Sequence, residues 1–163
     1  MAFKPTASVR MLKPDPRYND LVLSKFINCV MERGQKSSAQ RIIYDAFDII
    51  ESKLAKETSP EAPKAAIEVF QKAIENVKPF VEVRSKRVGG ANYQVPIQVN
   101  RKRQQALAFR WIITGARAEK GRPMANKIAD ELYAAAKGEG KAMATRDQTH
   151  RMADANKAFA HFA

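Results

Sequence analysis

Pro79 to Asn100, PFVEVRSKRVGGANYQVPIQVN, is the stretch whose reading decides the fold. Val81, Val83 and Ser85 fall on one face of an extended chain, and Glu82, Arg84 and Lys86 on the other. After Gly89-Gly90-Ala91-Asn92, a second run sets Tyr93, Val95, Ile97 and Val99 on one face. Two period-two runs on either side of a Gly/Asn-rich tip predict a β-hairpin. Pro96 has no N–H for a ladder, so its strand should keep an open edge. A two-stranded ribbon is marginal alone in water. It needs a helical body on one side and a bound partner on the other.

Outside this stretch the apolar spacing changes to three and four, the period of helices. A first helix is expected from about Asn19 to Glu32, with Val22, Phe26, Cys29 and Val30 on its buried side and Gly34 as its stop. The loop to Lys36 presents cations beside the next helix, where Ser37 and Gln40 have capping-box spacing and the free amides with Lys36 form a weak phosphate-site signal. The second helix buries Ala39, Ile42, Ile43, Ala46, Phe47, Ile50 and Leu54. After the KETSPEAP loop (56–63), Pro60 or Pro63 suits the first turn of a third helix that turns Ile67, Phe70, Ile74 and Val77 inward and stops before Pro79. A fourth helix runs from Arg101-Lys102-Arg103 to about Ala116, with Ala106, Leu107, Phe109, Trp111, Ile112 and Ile113 covering most of its circumference. Arg110 on that helix either faces the bound partner or neutralises a buried carboxylate. A fifth helix buries Ile128, Ala129, Leu132 and Ala136 and ends at Gly138-Glu139-Gly140. Thr145 and Gln148 have the spacing to cap a sixth, with Met152, Ala153, Asn156 and Phe159 on one side.

The fold class is therefore mainly α, a bundle of about six helices with a protruding hairpin between the third and fourth. The chain of 163 residues suits a single domain (1–163) with an extended basic arm (1–17) and a β-ribbon (79–100). No apolar run approaches the ~20 residues of a membrane span. A lone cysteine, Cys29, excludes an intrachain disulfide and fits a reducing, cytoplasmic compartment.

Charge points to the partner. The net charge is +12, and it is unevenly spread. Residues 1–17 carry four basic side chains against one acidic, and residues 78–103 carry seven against one, Glu82. Three quarters of the excess thus lies on an arm and a ribbon, the pattern expected of a polyanion binder. Arg10, Lys13 and Arg17 could reach phosphates.

Catalytic chemistry has no foothold. His150 and His161 are eleven residues apart and distant from Cys29, which gives no metal-ligand spacing. Gly89-Gly90 lies between two strands, not between strand and helix, so it is no dinucleotide loop. The expectation is no catalytic residue, no metal and no cofactor. A DNA-bending protein would carry an apolar wedge at the ribbon tip, where this chain has Gly-Gly-Ala-Asn. A purely protein-binding scaffold would leave the charge concentration unexplained.

The motifs in order are PDPRYND at 14–20, KFIN at 25–28, RIIYDAF at 41–47, NVKPFVEVRSKRVGGANYQVP at 76–96, ALAFRWI at 106–112 and HRMADANKAFAH at 150–161. Together they resemble bacterial-type small-subunit ribosomal protein seven over nearly the whole chain. The chain departs from that family's usual Gly-Lys-Lys turn, with Gly34-Gln35-Lys36. The resemblance implies a helical bundle with a β-ribbon, a structural role in the small ribosomal subunit and direct binding to the 3′ major domain of 16S rRNA. It implies nucleation of head assembly, and proximity to exit-site tRNA, the mRNA path and small-subunit protein eleven. It assigns rRNA contacts to Arg10, Lys13, Arg17, Lys36, Arg84, Lys86, Arg87, Arg101, Lys102 and Arg103, to which Arg110 is added as a candidate. Val88, Gly89, Gly90, Ala91, Asn92, Tyr93 and Arg151 would approach tRNA or the neighbouring protein.

Overall fold

The computed structural model describes residues 12–56, 63 and 65–162, with the side chains of Val88 and Phe162 left aside. Six α-helices and one hairpin follow in the order α1 (Leu21–Val30), α2 (Lys36–Leu54), α3 (Ala66–Val77), β1 (Val81–Val88), β2 (Ala91–Gln98), α4 (Arg101–Arg117), α5 (Met124–Ala136) and α6 (Lys141–Ala155). A 3-10 helix, Lys157–Phe162, closes the described chain. The mainly helical body and the position of the hairpin are as the sequence predicts.

Helix faces follow the three-and-four spacing because that spacing puts apolar side chains on one stripe. Phe26 of α1 meets Phe70 of α3 at 5.4 Å and Phe109 of α4 at 5.3 Å between ring centroids. Phe47 of α2 meets Phe70 at 5.9 Å. These tilted and edge-on pairs add to the area they bury. Helix α5 packs against α2, α3 and α4, so it completes the core.

Several local expectations give way. Helix α1 buries Leu23, Phe26, Ile27 and Val30, and Cys29 is exposed rather than part of the core. That set is already a complete i, i+3, i+4, i+7 stripe, and Cys29 lies on its shoulder. The helix stops at Val30, and Gly34 (φ +75°) serves the following turn instead. Helix α2 starts at Lys36 behind Gln35, which makes no side-chain cap, so Ser37 lies inside the helix. Pro63 precedes α3 by three residues and is outside its first turn; Pro60 and most of the KETSPEAP loop lie outside the described residues. Ala106 is exposed and Trp111 only half-buried, which leaves α4 with an open side.

Helix α6 begins at Lys141, four residues before Thr145, whose Oγ1 donates to the Lys141 carbonyl. Its cap comes from another helix. The buried Glu131 of α5 accepts the Ala142 amide at 2.7 Å, at the positive end of the α6 dipole. Gly115 and Gly140 leave room for this carboxylate, since a Cβ on either would stand 3.1 Å from Oε1. Burial pushes the Glu131 pKa up. Met152 is exposed, and the buried residues of α6 are Ala142, Met143 and Ala153.

The first described residues are docked from Lys13 onward. The Lys13 carbonyl accepts the Ser24 hydroxyl at 2.7 Å. Asp15 is buried and accepts the amides of Arg17 and Tyr18 and the Tyr44 hydroxyl, the last at 2.8 Å. Burial and that hydrogen bond push the Tyr44 pKa up to about 12. Asp20 then caps α1 by accepting the amides of Val22 and Leu23. PDPRYND is thus a turn and cap, and an extended arm could only lie upstream of it.

The ribbon pairs Val81 with Gln98 through to Val88 with Ala91, which leaves Gly89 and Gly90 as a two-residue loop. Both have positive φ, +57° and +89°, the condition of the tight turns that match strand twist. Gly90→Val forces a branched side chain into that region and should cost the hairpin about 1–2 kcal/mol. Amide hydrogen exchange would check this: faster exchange confined to Val81–Gln98 is expected, with helix amides unchanged.

Candidate nucleic-acid interface

The register decides which ribbon face meets the body. Glu82, Arg84 and Lys86 stand opposite Ile97, Val95 and Tyr93, and opposed residues of an antiparallel pair share a face. Val95 on this face is fully buried, and Tyr93 packs on Phe159 of the 3-10 helix at 5.1 Å. The acidic and basic row of β1 therefore lies on the side packed by α6 and the 3-10 helix. Val81, Val83, Pro96 and Gln94 form the other face.

One carboxylate organises the ribbon root. Glu82 is buried, accepts from Nε of Arg84 at 2.5 Å and pairs with Nε of Arg103 at 2.9 Å. Arg103 is on the first turn of α4, where Asn100 caps the helix by accepting the Arg103 amide. The ribbon and the basic start of α4 are thereby brought together and fixed. Burial by itself would raise the Glu82 pKa, but the hydrogen bonds from Arg103 and Arg84 outweigh it and hold the carboxyl below its ordinary value. The alternation in sequence already sets Glu82 on one strand face with Arg84; the second partner, Arg103, lies 21 residues away and carries no local signal.

Helix α4 extends the cationic surface. Lys102, Ala106, Arg110, Thr114 and Arg117 are all exposed and recur at four, four, four and three, so they form one stripe. Arg110 makes no ion pair among the described residues, so the alternative of a buried carboxylate partner falls. Arg117 was not anticipated, although the same spacing points to it. It pairs with Glu32 at 2.6 Å at the far end of α4, beside the turn that leads to Lys36. Arg103 and Arg117 are about 21 Å apart along the helix axis.

The remaining candidates divide. Arg87, Arg101 and Lys102 are exposed at the ribbon and the α4 start, Lys86 is exposed on the ribbon, and Lys36 is exposed as the first residue of α2. Arg17 is engaged internally: it donates to Asp48 at 2.8 Å and lies over the rings of Tyr18 and Tyr44. Lys13 is exposed, and Arg10 lies outside the described residues. At the tip Gly89, Gly90, Ala91 and Asn92 are exposed, and Arg151 is exposed on α6. Among the described residues no group of three or more His, Cys, Asp or Glu could hold a metal, and no helix is long and apolar enough to cross a membrane.

Comparison with known proteins follows the same span. The family model described as ribosomal protein S7p/S5e matches residues 4–157. The chain is 58% identical over 158 residues to the small ribosomal subunit protein uS7 of Rhodopirellula baltica, covering 97% of each chain. It is 51% identical over 156 residues to the uS7 of Thermotoga petrophila, covering 96% of each. With the uS7 of Salinibacter ruber it shares 52% over 153 residues, 94% of this chain and 93% of the other.

Glu82→Gln should destabilise the fold by about 1–2 kcal/mol at neutral pH, the range for a charge-assisted hydrogen bond next to half-exposed partners. A depressed carboxyl pKa contributes stability above the unfolded value of about 4.3, and that contribution is lost as pH falls through the folded value. Denaturant melts of both proteins should therefore differ at pH 7 and converge towards pH 3. A gap that stays constant with pH would show that Glu82 acts by shape alone.

Proposed function

The chain belongs to the ribosomal protein S7p/S5e family and is a non-enzymatic structural component of the small ribosomal subunit; on that premise we propose that it binds the 3′ major domain of 16S rRNA directly and nucleates assembly of the subunit head. Residues 1–163 act as one binding unit. The observation that carries this reading is the cationic cluster at the ribbon stem and the α4 start (Arg84, Lys86, Arg101, Lys102 and Arg103), extended along α4 by Arg110 to Arg117, with Arg87 on the opposite ribbon face near the tip.

The two parts divide the work. Lys and Arg neutralise phosphates, which sets affinity and its salt dependence but reads no sequence. The deep major groove of A-form RNA is closed to side chains, so specificity comes from matching the shape of a helical junction. A ribbon fixed at its root by Glu82 gives that surface a defined angle. Lys36, at the α1–α2 turn, Lys13 and Arg17 in the docked segment before α1, and Arg10 upstream of them add phosphate contacts. Arg17 has the weakest claim, because Asp48 already holds it.

The ribbon tip, Val88 to Tyr93, and Arg151 approach exit-site tRNA and small-subunit protein eleven, close to the mRNA path. Support here is the family resemblance together with an exposed, uncharged Gly-Gly turn that lets another backbone come near. Tyr93 contributes by packing on Phe159, which steadies the outer half of the ribbon.

Lys102→Ala with Arg110→Ala tests the α4 surface, because alanine keeps the helix and neither cation has an ion-pair partner among the described residues. The slope of log affinity against log salt for a 3′ major domain fragment should flatten by about 0.7–0.9 per lost phosphate contact. An unchanged slope with unchanged affinity would remove α4 from the interface.

A further inference from the structure

Phe80 is the most open of the large apolar side chains among the described residues, at 75% exposure against 48% for Leu21 and 44% for Met152. It is nonetheless held in place. Its amide donates to Nε2 of His150 at 3.3 Å, and its carbonyl accepts the Val99 amide at 3.1 Å, one step beyond β1. The Phe80 ring lies 28° from the plane of the His150 imidazole, with centroids 6.1 Å apart. One side of the ring is thus backed by α6 and the rest is open. An exposed aromatic on a rigid strand end, stacked on a second ring, is a platform.

Its surroundings name the occupant. Arg151, exposed on α6, follows His150, and Lys78, paired with Glu75 at 2.5 Å, precedes Phe80 by two residues. Two residues further along the strand, Arg84 and Arg103 converge on Glu82. We propose that Phe80, backed by His150, is a stacking site for one unpaired RNA base at the foot of the ribbon. This rests on the reading of the chain as an rRNA binder. Within a polyanion drawn to these cations, the base is the flat apolar component, and every base has a π face that an aromatic ring can cover. A protein partner would need roughly 800 Å² of complementary surface on this side, far more than a single ring supplies. Phe80 was not among the contacts expected from sequence, because a lone Phe before a strand carries no periodic signal.

The test uses the full chain and a 3′ major domain rRNA fragment, with Phe80→Ala, Phe80→Leu and Phe80→Tyr. Loss of a base stack should weaken binding about 5- to 100-fold for Phe80→Ala, with the salt slope unchanged because no phosphate contact is removed. Phe80→Leu should weaken binding nearly as much, and Phe80→Tyr should bind like the parent. Probing the RNA by 2′-hydroxyl acylation should show one unpaired nucleotide becoming more reactive in the Phe80→Ala complex. Parent-like binding by Phe80→Ala, a flattened slope, or full retention by Phe80→Leu would each overturn the stacking site. Salt-independent or absent binding by the parent protein would instead overturn the rRNA reading beneath it. Phe80 is outside the core, so thermal unfolding of the variants should match the parent and keep the comparison valid.

Discussion

The buried carboxylate of Glu82 is the constraint on which the ribbon's usefulness depends. A two-stranded hairpin has too little buried area to hold itself at a fixed angle. Here its root is tied twice, by the buried Val95 on the ribbon face that α6 and the 3-10 helix cover and by the Arg84–Glu82–Arg103 arrangement that reaches α4. Removing a carboxylate from water is costly, and two guanidinium partners offset that cost where one would leave it uncompensated. The same arrangement orients two cations whose side chains remain partly exposed, at 56% and 39%. A structural anion thereby sets the geometry of a cationic surface.

Helix α4 carries the second half of that logic. Its inner side supplies Phe109, Ile112 and Ile113 to the core, and its outer stripe carries Lys102, Arg110 and Arg117. The helix is both a packing element and the spine of the proposed interface, so phosphate-binding groups inherit the rigidity of the core. α6 does the same for the ribbon's inner face, and it depends on Glu131 for its start. The two buried glutamates, Glu82 and Glu131, each join elements that are distant in sequence, and each lies where positive charge or a helix dipole awaits it.

What could be read from the sequence was what local spacing encodes. Period-two alternation around Gly89-Gly90 located the hairpin, and the three-and-four stripes located the core faces of α2, α3 and α5 with few errors. The concentration of Lys and Arg pointed to the surfaces proposed to meet RNA. Errors arose where a distant partner decides. Ser37 and Thr145 looked like caps, but α2 begins behind the Gly34 turn and α6 is capped from α5. Cys29 and Ala106 looked buried because spacing gives a stripe but not its width. The alternation of the ribbon showed two faces without showing which one α6 covers. That depends on register, which set the charged row of β1 against the apolar row of β2.

The α4 and ribbon surface is proposed to recognise one region of small-subunit rRNA. Footprinting of the purified protein on naked, full-length 16S rRNA tests it most directly. Protection confined to the 3′ major domain is expected, persisting at a salt concentration that abolishes scattered non-specific binding. Protection spread evenly over the molecule, or centred on another domain, would contradict it.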